Sequence, residues 1–383
     1  EQFGRSAVMY GGLDLYTTLN SRYQLAASQA VHDGLAELDR MMGLEKYEDA
    51  KWSEQDKYPQ AALVAIDPRT GAVKALVGGR DYRRAPFNRA LSNTRSPGSS
   101  FKIFTYLAAL DKGVVSPSTV LLDEPTQFKI YNQIWEPRNY DRKFLGPMTL
   151  KMALAQSRNV IAAKVIEKVT PQVVVDYAVD LGITSDIKPH MSLALGATGV
   201  APWEMASATS TIAAQGVYHD PYMVRRVTSS EKNLFEYERS SRRVLDPQSC
   251  YVLIDMLTGV IELGTGKGVR SRSFFRPCAG KTGTTNDYRD AWFVGFTPDL
   301  VAAVWVGYDD NREMRTKWGG GVAGSTGALP IWTEFMKRAL KNSPYSEFAI
   351  PPGIEFIKIN ASTGEKVSVY DDGIRVAMRR GMQ

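Results

Sequence analysis

The chain has 383 residues, 44% of them hydrophobic and 23% charged, with 32 glycines and 19 prolines scattered along it. That length and mixture suit one large or two ordinary domains with real cores, and they exclude a disordered chain. The net charge of +6 is mild for this length, and the pairs Arg83-Arg84, Arg225-Arg226 and Arg242-Arg243 are short and separate, so no basic stripe with interleaved aromatics points to nucleic acid.

Leu13, Leu15, Thr17 and Leu19 alternate after Gly11-Gly12, which predicts a short strand. A helix follows from about Ser21 to Met42, with Ala27, Val31, Leu35 and Leu38 at helical spacing and Gly43 as its stop. Residues 44–60 read as a polar loop. The apolar runs Ala61–Ile66 and Ala72–Val77 flank Asp67-Pro68-Arg69-Thr70-Gly71 and predict a hairpin that opens the main domain. Arg80–Asn88 is a polar loop, and Pro97-Gly98 breaks the chain before a helix that begins at Ser99. The stretch from Gly113 to Pro147 is long, irregular and rich in Pro, Asp and Asn, a kind of connection that often carries function.

Helices are predicted over Thr149–Ser157, Val160–Val169, Pro171–Leu181, Ala201–Ala214 and Leu245–Val260, the last capped by Asp246 ahead of Pro247. Strand signals return at Phe274–Gly280, Ala291–Phe296 and Val301–Tyr308, the last two forming a hairpin around Thr297-Pro298-Asp299. Ile331–Leu340 reads as a final helix. Residues 345–383 read as a tail with a strand-like Ile354–Ile359 and a turn at Thr363-Gly364. Strands at both ends of a domain with helices between imply an α+β fold whose sheet joins distant segments.

The chemistry starts at Ser99-x-x-Lys102. Residues three apart share a helix face, so Ser99 and Lys102 lie together at a helix N-terminus. A serine hydroxyl needs a base to become a nucleophile. A lysine serves only when neutral, which requires burial or a second cation close by. Backbone N–H groups at a helix start also suit a developing oxyanion. Alone, the pattern fits a helix-capping serine and a solvated lysine better than a nucleophile and its base. Two further motifs follow in order: Ser157-Arg158-Asn159 at the junction of two predicted helices, and Lys281-Thr282-Gly283-Thr284 at the end of a predicted strand. This ordered trio is a signature shared by penicillin-binding proteins and class A β-lactamases.

Other patterns carry less. Gly264-Thr265-Gly266-Lys267-Gly268 lacks phosphate-loop spacing and reads as a flexible loop near the active-site strand. Cys250 and Cys278 are too few for a disulfide scaffold; two buried free thiols are favoured over a single Cys250–Cys278 bridge. His32, His190 and His219 show no His-Glu-x-x-His spacing, so no metal or cofactor is expected. No run approaches the ~18–20 apolar residues of a membrane helix.

Around the trio, Arg95–Lys102, Tyr140–Asn159, Ala194–Met205 and Lys281–Tyr308 resemble the transpeptidase domain of class A penicillin-binding proteins. The stretch Lys281-Thr282-Gly283-Thr284-Thr285-Asn286-Asp287-Tyr288-Arg289-Asp290-Ala291-Trp292-Phe293 is especially similar, and Gly11 to Leu19 looks like the segment that precedes that domain. The resemblance covers most of residues 11–340. It implies the penicillin-binding protein/serine β-lactamase-like fold: an antiparallel sheet flanked by helices, with an all-helical subdomain. Residues 1–60 would be the lead-in, 61–344 the transpeptidase domain and 345–383 a C-terminal tail.

The resemblance also implies roles. Ser99 would attack the carbonyl between the last two D-alanines of a peptidoglycan stem peptide, and Lys102, kept neutral by burial and by Lys281, would take its proton. Ser157 would relay that proton to the leaving amine. Asn159 would bind the Lys102 ammonium or the substrate amide. Lys281 would supply positive charge, the Thr282 and Thr284 hydroxyls would bind the substrate carboxylate, and Gly283 would let the strand approach. The backbone N–H groups of Ser99 and Thr284 would form the oxyanion hole. Trp135 is expected on the cleft wall as a substrate contact, and Trp292 and Trp305 in the core or on that wall. Implied partners are stem peptides, β-lactams acylating Ser99, and other cell-wall synthesis proteins. The implied location is the outer face of the bacterial cytoplasmic membrane, with the anchor and glycosyltransferase domain outside this chain.

A serine β-lactamase shares the trio but needs a deacylating Glu a few tens of residues after the second motif, with an Asn four positions later. Between Ile183 and Ala208 the acidic residues are Asp186 and Glu204, and neither has that Asn. Rapid β-lactam hydrolysis is therefore not expected. A D,D-carboxypeptidase and a non-enzymatic β-lactam or peptidoglycan sensor stay open as alternatives.

Overall fold

The computed structural model describes residues 3–92, 95–130, 132–230 and 232–381; the ends of the expected lead-in and tail, and residue 131 of the long connection, lie outside the described residues. Its centre is an antiparallel sheet of strands β1 (Gln60–Ile66), β2 (Val73–Val77), β3 (Ala279–Thr284), β4 (Asp290–Phe296) and β5 (Val301–Gly307), in spatial order β3-β4-β5-β1-β2. Two sequence-local hairpins, β1–β2 and β4–β5, supply four of these strands, and β5 pairs with β1 across more than 230 residues of chain. The strand carrying Lys281 thus becomes one edge of the sheet.

Around the sheet pack helices α1 (Ser21–Met42), α2 (Lys102–Asp111), α3 (Leu150–Ala155), α4 (Asn159–Val169), α5 (Pro171–Asp180), α6 (Pro202–Ala213), α7 (Pro247–Leu263) and α8 (Ala328–Ala339). Strand side chains alternate between faces. Ala61, Leu63 and Ala65 of β1 therefore join the core under α1 and α8, while Ala62, Val64 and Ile66 join the core shared with the other helices. Gly34 lets α1 lie close on α8, since a Cβ there would fall 2.3 Å from Ile331 Cγ1. Helix α2 is buried all round from Lys102 to Leu110, so it runs through the core as a fully enclosed helix would.

Several elements depart from expectation. The third motif lies inside a strand, β3, because the strand starts at Ala279 and not Phe274. Pro277 interrupts the earlier segment, and Phe274 packs edge-on to Trp332 at 5.9 Å. The strands Val217–His219, Val224–Ser229, Lys232–Glu236 and Ser241–Arg243 had no sequence signal. They are largely solvent-facing, so they lack apolar alternation, and Val224–Ser229 pairs with Leu13–Thr17. Within the long irregular stretch, Val120–Asp123 pairs with Gly146–Thr149 and Phe128–Ile130 with Gln133–Trp135.

In the expected tail the strand Ile354–Ile359 occurs as read, and it pairs with Ile374–Arg379, which had not been expected, into a docked hairpin. Phe356 meets Tyr251 of α7 edge-on at 6.2 Å. Lys151 of α3 pairs with Asp255 of α7 at 2.7 Å and donates to Arg375 O, while Ala377 N donates to Asp255 Oδ2 at 2.9 Å. Cys250 and Cys278 are free and buried, the favoured of the two arrangements.

Candidate active site

Three segments converge on one cleft of about 710 Å³. The first is a 3-10 turn, Gly98–Phe101, that runs straight into α2 at Lys102, so the α-helix begins three residues later than the expected Ser99. Gly98 takes φ +52°, and a Cβ there would lie 2.6 Å from Thr284 O, so glycine is what lets this turn touch β3. The indole of Trp292 holds the approach to the turn through Nε1–H to Ser96 O at 2.8 Å. Ser99 lines the cleft, and Lys102 lies fully buried beneath it.

The second segment is the α3–α4 junction. Ser157 sits there in the left-handed region at φ 58°, a costly conformation for a non-glycine residue that needs support from its surroundings. Arg158 and Asn159 provide it. Arg158 Nε donates to buried Asp123 Oδ2 at 2.9 Å, and its Nη1 to Asp141 Oδ2 at 3.0 Å. Asn139 bridges the same carboxylate, donating from Nδ2 to Asp123 Oδ1 at 2.7 Å and accepting from Asn159 N at 2.8 Å. The Asn159 amide is in turn committed at both ends, Nδ2 to Arg138 O at 2.8 Å and Oδ1 to Lys102 Nζ at 2.7 Å.

The third segment is β3. Thr285 N donates to Asp290 O, so in the antiparallel ladder Thr285, Gly283 and Lys281 turn their backbone groups to β4. Thr282 and Thr284 therefore turn theirs to the open edge, beside the Gly98–Phe101 turn. Gly283 is required because a Cβ would fall 2.2 Å from Pro97 O and 3.0 Å from Trp292 Cβ. Thr284 Oγ1 accepts from Gly324 N at 2.9 Å, and Thr282 Oγ1 lies 2.7 Å from Thr265 Oγ1.

The electrostatics centre on two lysines with no solvent exposure. Lys102 Nζ donates to Ser157 O and Asn159 Oδ1, each at 2.7 Å, with Ser157 Oγ at 3.3 Å. Lys281 Nζ donates to Ser157 Oγ at 2.8 Å and to Thr282 O at 3.1 Å. Among the described residues no carboxylate pairs with either ammonium. Burial, then the charges of Lys281 and Arg158, hold Lys102 well below its ordinary value, against a weaker upward pull from Asp123. Burial brings Lys281 down to about 7. A neutral Lys102 has two hydrogens, which match its two acceptors at 2.7 Å, and one lone pair able to accept a proton.

Ser99, Ser157, Asn159, Thr282 and Thr284 all line the cleft, with Lys102 and Lys281 under its floor and Gly283 in the strand between the two threonines. Trp135 does not join them. It packs against Phe128 at 5.6 Å in the short hairpin, and the cleft wall is built instead by Tyr140 and Tyr288, edge-to-face at 5.8 Å. Trp292 and Trp305 are core residues. Glu204 is held away from the cleft by five donors from Thr184, Ser185 and Ala201. Sequence reasoning missed Asp123, Asn139, Thr265 and Gly324. Of these, Asp123 and Asn139 lay in the stretch flagged for its length, Thr265 lay in the glycine-rich loop read as close to the active-site strand, and Gly324 had no local signal.

The sequence profile of the penicillin binding protein transpeptidase domain matches residues 61–329. Penicillin-binding protein 1A of Aquifex aeolicus is 38% identical over 303 residues, covering 79% of this chain and 41% of that protein. Penicillin-binding protein 1A of Pseudomonas aeruginosa is 34% identical over 365 residues, 81% of this chain and 43% of that one. The chain thus spans less than half the length of these relatives. Among solved structures, penicillin-binding protein 1A from Haemophilus influenzae superposes with a TM-score of 0.85 over 98% of this chain and 74% of that one, at 24% identity, which is a likeness of fold. PonA1 from Mycobacterium tuberculosis, solved in complex with penicillin V, superposes with a TM-score of 0.77 at 27% identity over 92% of this chain and 94% of that one. With the profile matched across most of its length, and relatives of this identity over four-fifths of it, the chain belongs to the penicillin-binding protein transpeptidase domain family.

Proposed function

We propose that this chain is a peptidoglycan D,D-transpeptidase unit that crosslinks stem peptides through an acyl-enzyme on Ser99, and that residues 61–344 carry the activity. The observation that carries the reading is the pair of buried lysines, unpaired with any carboxylate among the described residues, meeting at the Ser157 hydroxyl beside Ser99. Burying two such cations in a merely structural core would be expensive. A neutral amine poised next to a serine has a use.

Ser99 Oγ attacks the carbonyl between the last two D-alanines as its proton passes to Lys102 Nζ. The negative oxygen that forms is met by the N–H groups of Ser99 and Thr284, the latter on the open edge of β3. The peptide C–N bond then breaks. Lys102 returns its proton through the Ser157 hydroxyl to the leaving D-alanine amine, leaving the ester on Ser99. The amine of a second stem peptide attacks that ester, its surplus proton goes back through the same groups, and the Ser99 hydroxyl is restored. The substrate carboxylate is held by Thr282 and Thr284 near Lys281. β-Lactams enter by the same first step, opening the ring amide, and the holding of Glu204 away from the cleft by five donors supports a slow loss of that adduct. The protein works at the outer face of the bacterial cytoplasmic membrane alongside other cell-wall synthesis proteins.

The test is an intact mass spectrum after incubation with benzylpenicillin, with peptide mapping and a time course, on wild type and Ser99→Ala. A stable adduct on the Ser99 peptide that the variant lacks is the expected result. Labelling that persists in the variant refutes the nucleophile, and an adduct that decays quickly with hydrolysed drug refutes the transpeptidase reading in favour of a β-lactamase. Crosslinked product from paired stem peptides, against free D-alanine alone or no turnover, separates transpeptidase from carboxypeptidase and sensor.

A further inference from the structure

We infer that Thr265, in the loop between α7 and β3, is a positioning residue for carboxylate recognition: its hydroxyl donates to Thr282 Oγ1 and leaves the Thr282 proton to point at the bound anion. The inference rests on the proposed acyl-enzyme reading. A carboxylate only accepts hydrogen bonds, so each threonine that binds it must spend its single O–H on it. The neighbours of β3 decide whether that proton is free to point there.

At Thr284 the decision is made by the backbone. Gly324 N–H donates to Thr284 Oγ1 at 2.9 Å, and an N–H cannot reverse its role. At Thr282 no backbone group among the described residues does this. Its hydroxyl partner is Thr265 Oγ1 at 2.7 Å, a contact in which either oxygen can donate. An anion in the cleft selects one direction, Thr265 to Thr282 to carboxylate, and hydrogen bonds in such a chain strengthen one another. Both threonines line the cleft.

The loop is built to hold that hydroxyl in place, contrary to the flexible loop expected from its glycines. Thr265 N donates to Ala155 O at 3.0 Å and Gly266 N to Val260 O at 2.9 Å. A Cβ on Gly264 would fall 1.9 Å from Ala155 O, so this loop is pressed against the end of α3, the helix that delivers Ser157.

The test compares acylation of wild type, Thr265→Val and Thr265→Ser by benzylpenicillin and by its methyl ester, which lacks the carboxylate charge. Valine keeps the shape and removes the hydroxyl; serine restores it. The expected result is a roughly two- to tenfold lower acylation efficiency of the valine variant with benzylpenicillin, the worth of the one neutral hydrogen bond that orients Thr282. That loss should lie in the binding constant, be absent with the ester, and be recovered by serine. An equal loss with both ligands would mean a merely structural residue and overturn the inference, as would an unchanged valine variant. Failure of wild type to form a Ser99 adduct would overturn the acyl-enzyme reading itself.

Discussion

Replacing Asp123 by alanine should damage both stability and acylation, although Asp123 does not line the cleft. Its carboxylate has no solvent exposure and accepts from Arg158 Nε at 2.9 Å, Asn139 Nδ2 at 2.7 Å and Leu145 N at 3.1 Å. Removing it strands a guanidinium that is 6% exposed, whose other carboxylate, Asp141, is 42% exposed and screened by water. Breaking one side of a buried pair costs about 3–5 kcal/mol. The Asn139 amide loses one of its two acceptors at the same time, keeping only Lys143 O at 2.9 Å, and Asn139 Oδ1 is what receives Asn159 N. A shift there of about an ångström moves the groups that hold Lys102, and misplacement of that size costs on the order of a hundredfold in rate.

Electrostatics alone predicts the opposite sign for the chemistry. Asp123 pulls the Lys102 value upward, so its loss leaves more neutral base and faster proton removal. The two effects are separable by urea unfolding followed by tryptophan fluorescence, together with the rate of labelling by a fluorescent penicillin at fixed pH. Loss of several kcal/mol with slower labelling is expected. A variant within about 1 kcal/mol of wild type, a typical cost for an unremarkable substitution, that labels at the wild-type rate would refute the idea that this carboxylate organises the Ser157 loop.

Lys102→Ala should slow acylation of Ser99 by about 10²–10⁴, the usual worth of a general base, while circular dichroism stays native; a near wild-type rate would show that another group takes the proton. Stability should depend on pH through the lysines. Lys281 falls from an ordinary 10.5 to about 7 in the folded state, so between those values the unfolded chain binds more protons and stability rises with pH. The contribution is full above the unfolded value and lost as pH falls through 7; at ~1.4 kcal/mol per unit it reaches about 5 kcal/mol. Lys102 acts with the same sign. Urea midpoints measured from pH 7 to 9 should climb in wild type and climb less in Lys281→Met, and equal slopes would contradict the buried, neutralised lysine. Gly283→Ala should abolish penicillin labelling and cost about 1–3 kcal/mol, because the new Cβ meets backbone that cannot step aside; retained labelling would mean that β3 and the Ser99 turn are not held as close as described.

What was readable without coordinates was whatever is written locally. Helix α1 was expected over the residues where it occurs, because its apolar spacing and Gly43 stop are both local. The hairpins β1–β2 and β4–β5 were readable from two apolar runs around a Pro turn, each within about a residue or two at its ends. The three motifs were readable because short patterns keep their order along a chain. Their meeting was not: positions 99, 157 and 281 carry no distance information, and only the closing of β5 onto β1 and of β4 onto β3 brings Lys281 within 2.8 Å of Ser157. The chemistry of Lys102 depends on its burial and on the charges around it, which are properties of a packed interior and of no segment. The same holds for the left-handed Ser157, which Asp123 and Asn139 support from 18 or more residues away. Trp135 went to a hairpin and not to the cleft because an aromatic residue records only that it will be partly buried, never against what. The solvent-facing strands of residues 217–243 exist through pairing alone, since ladder hydrogen bonds join backbones and leave no mark in side-chain pattern.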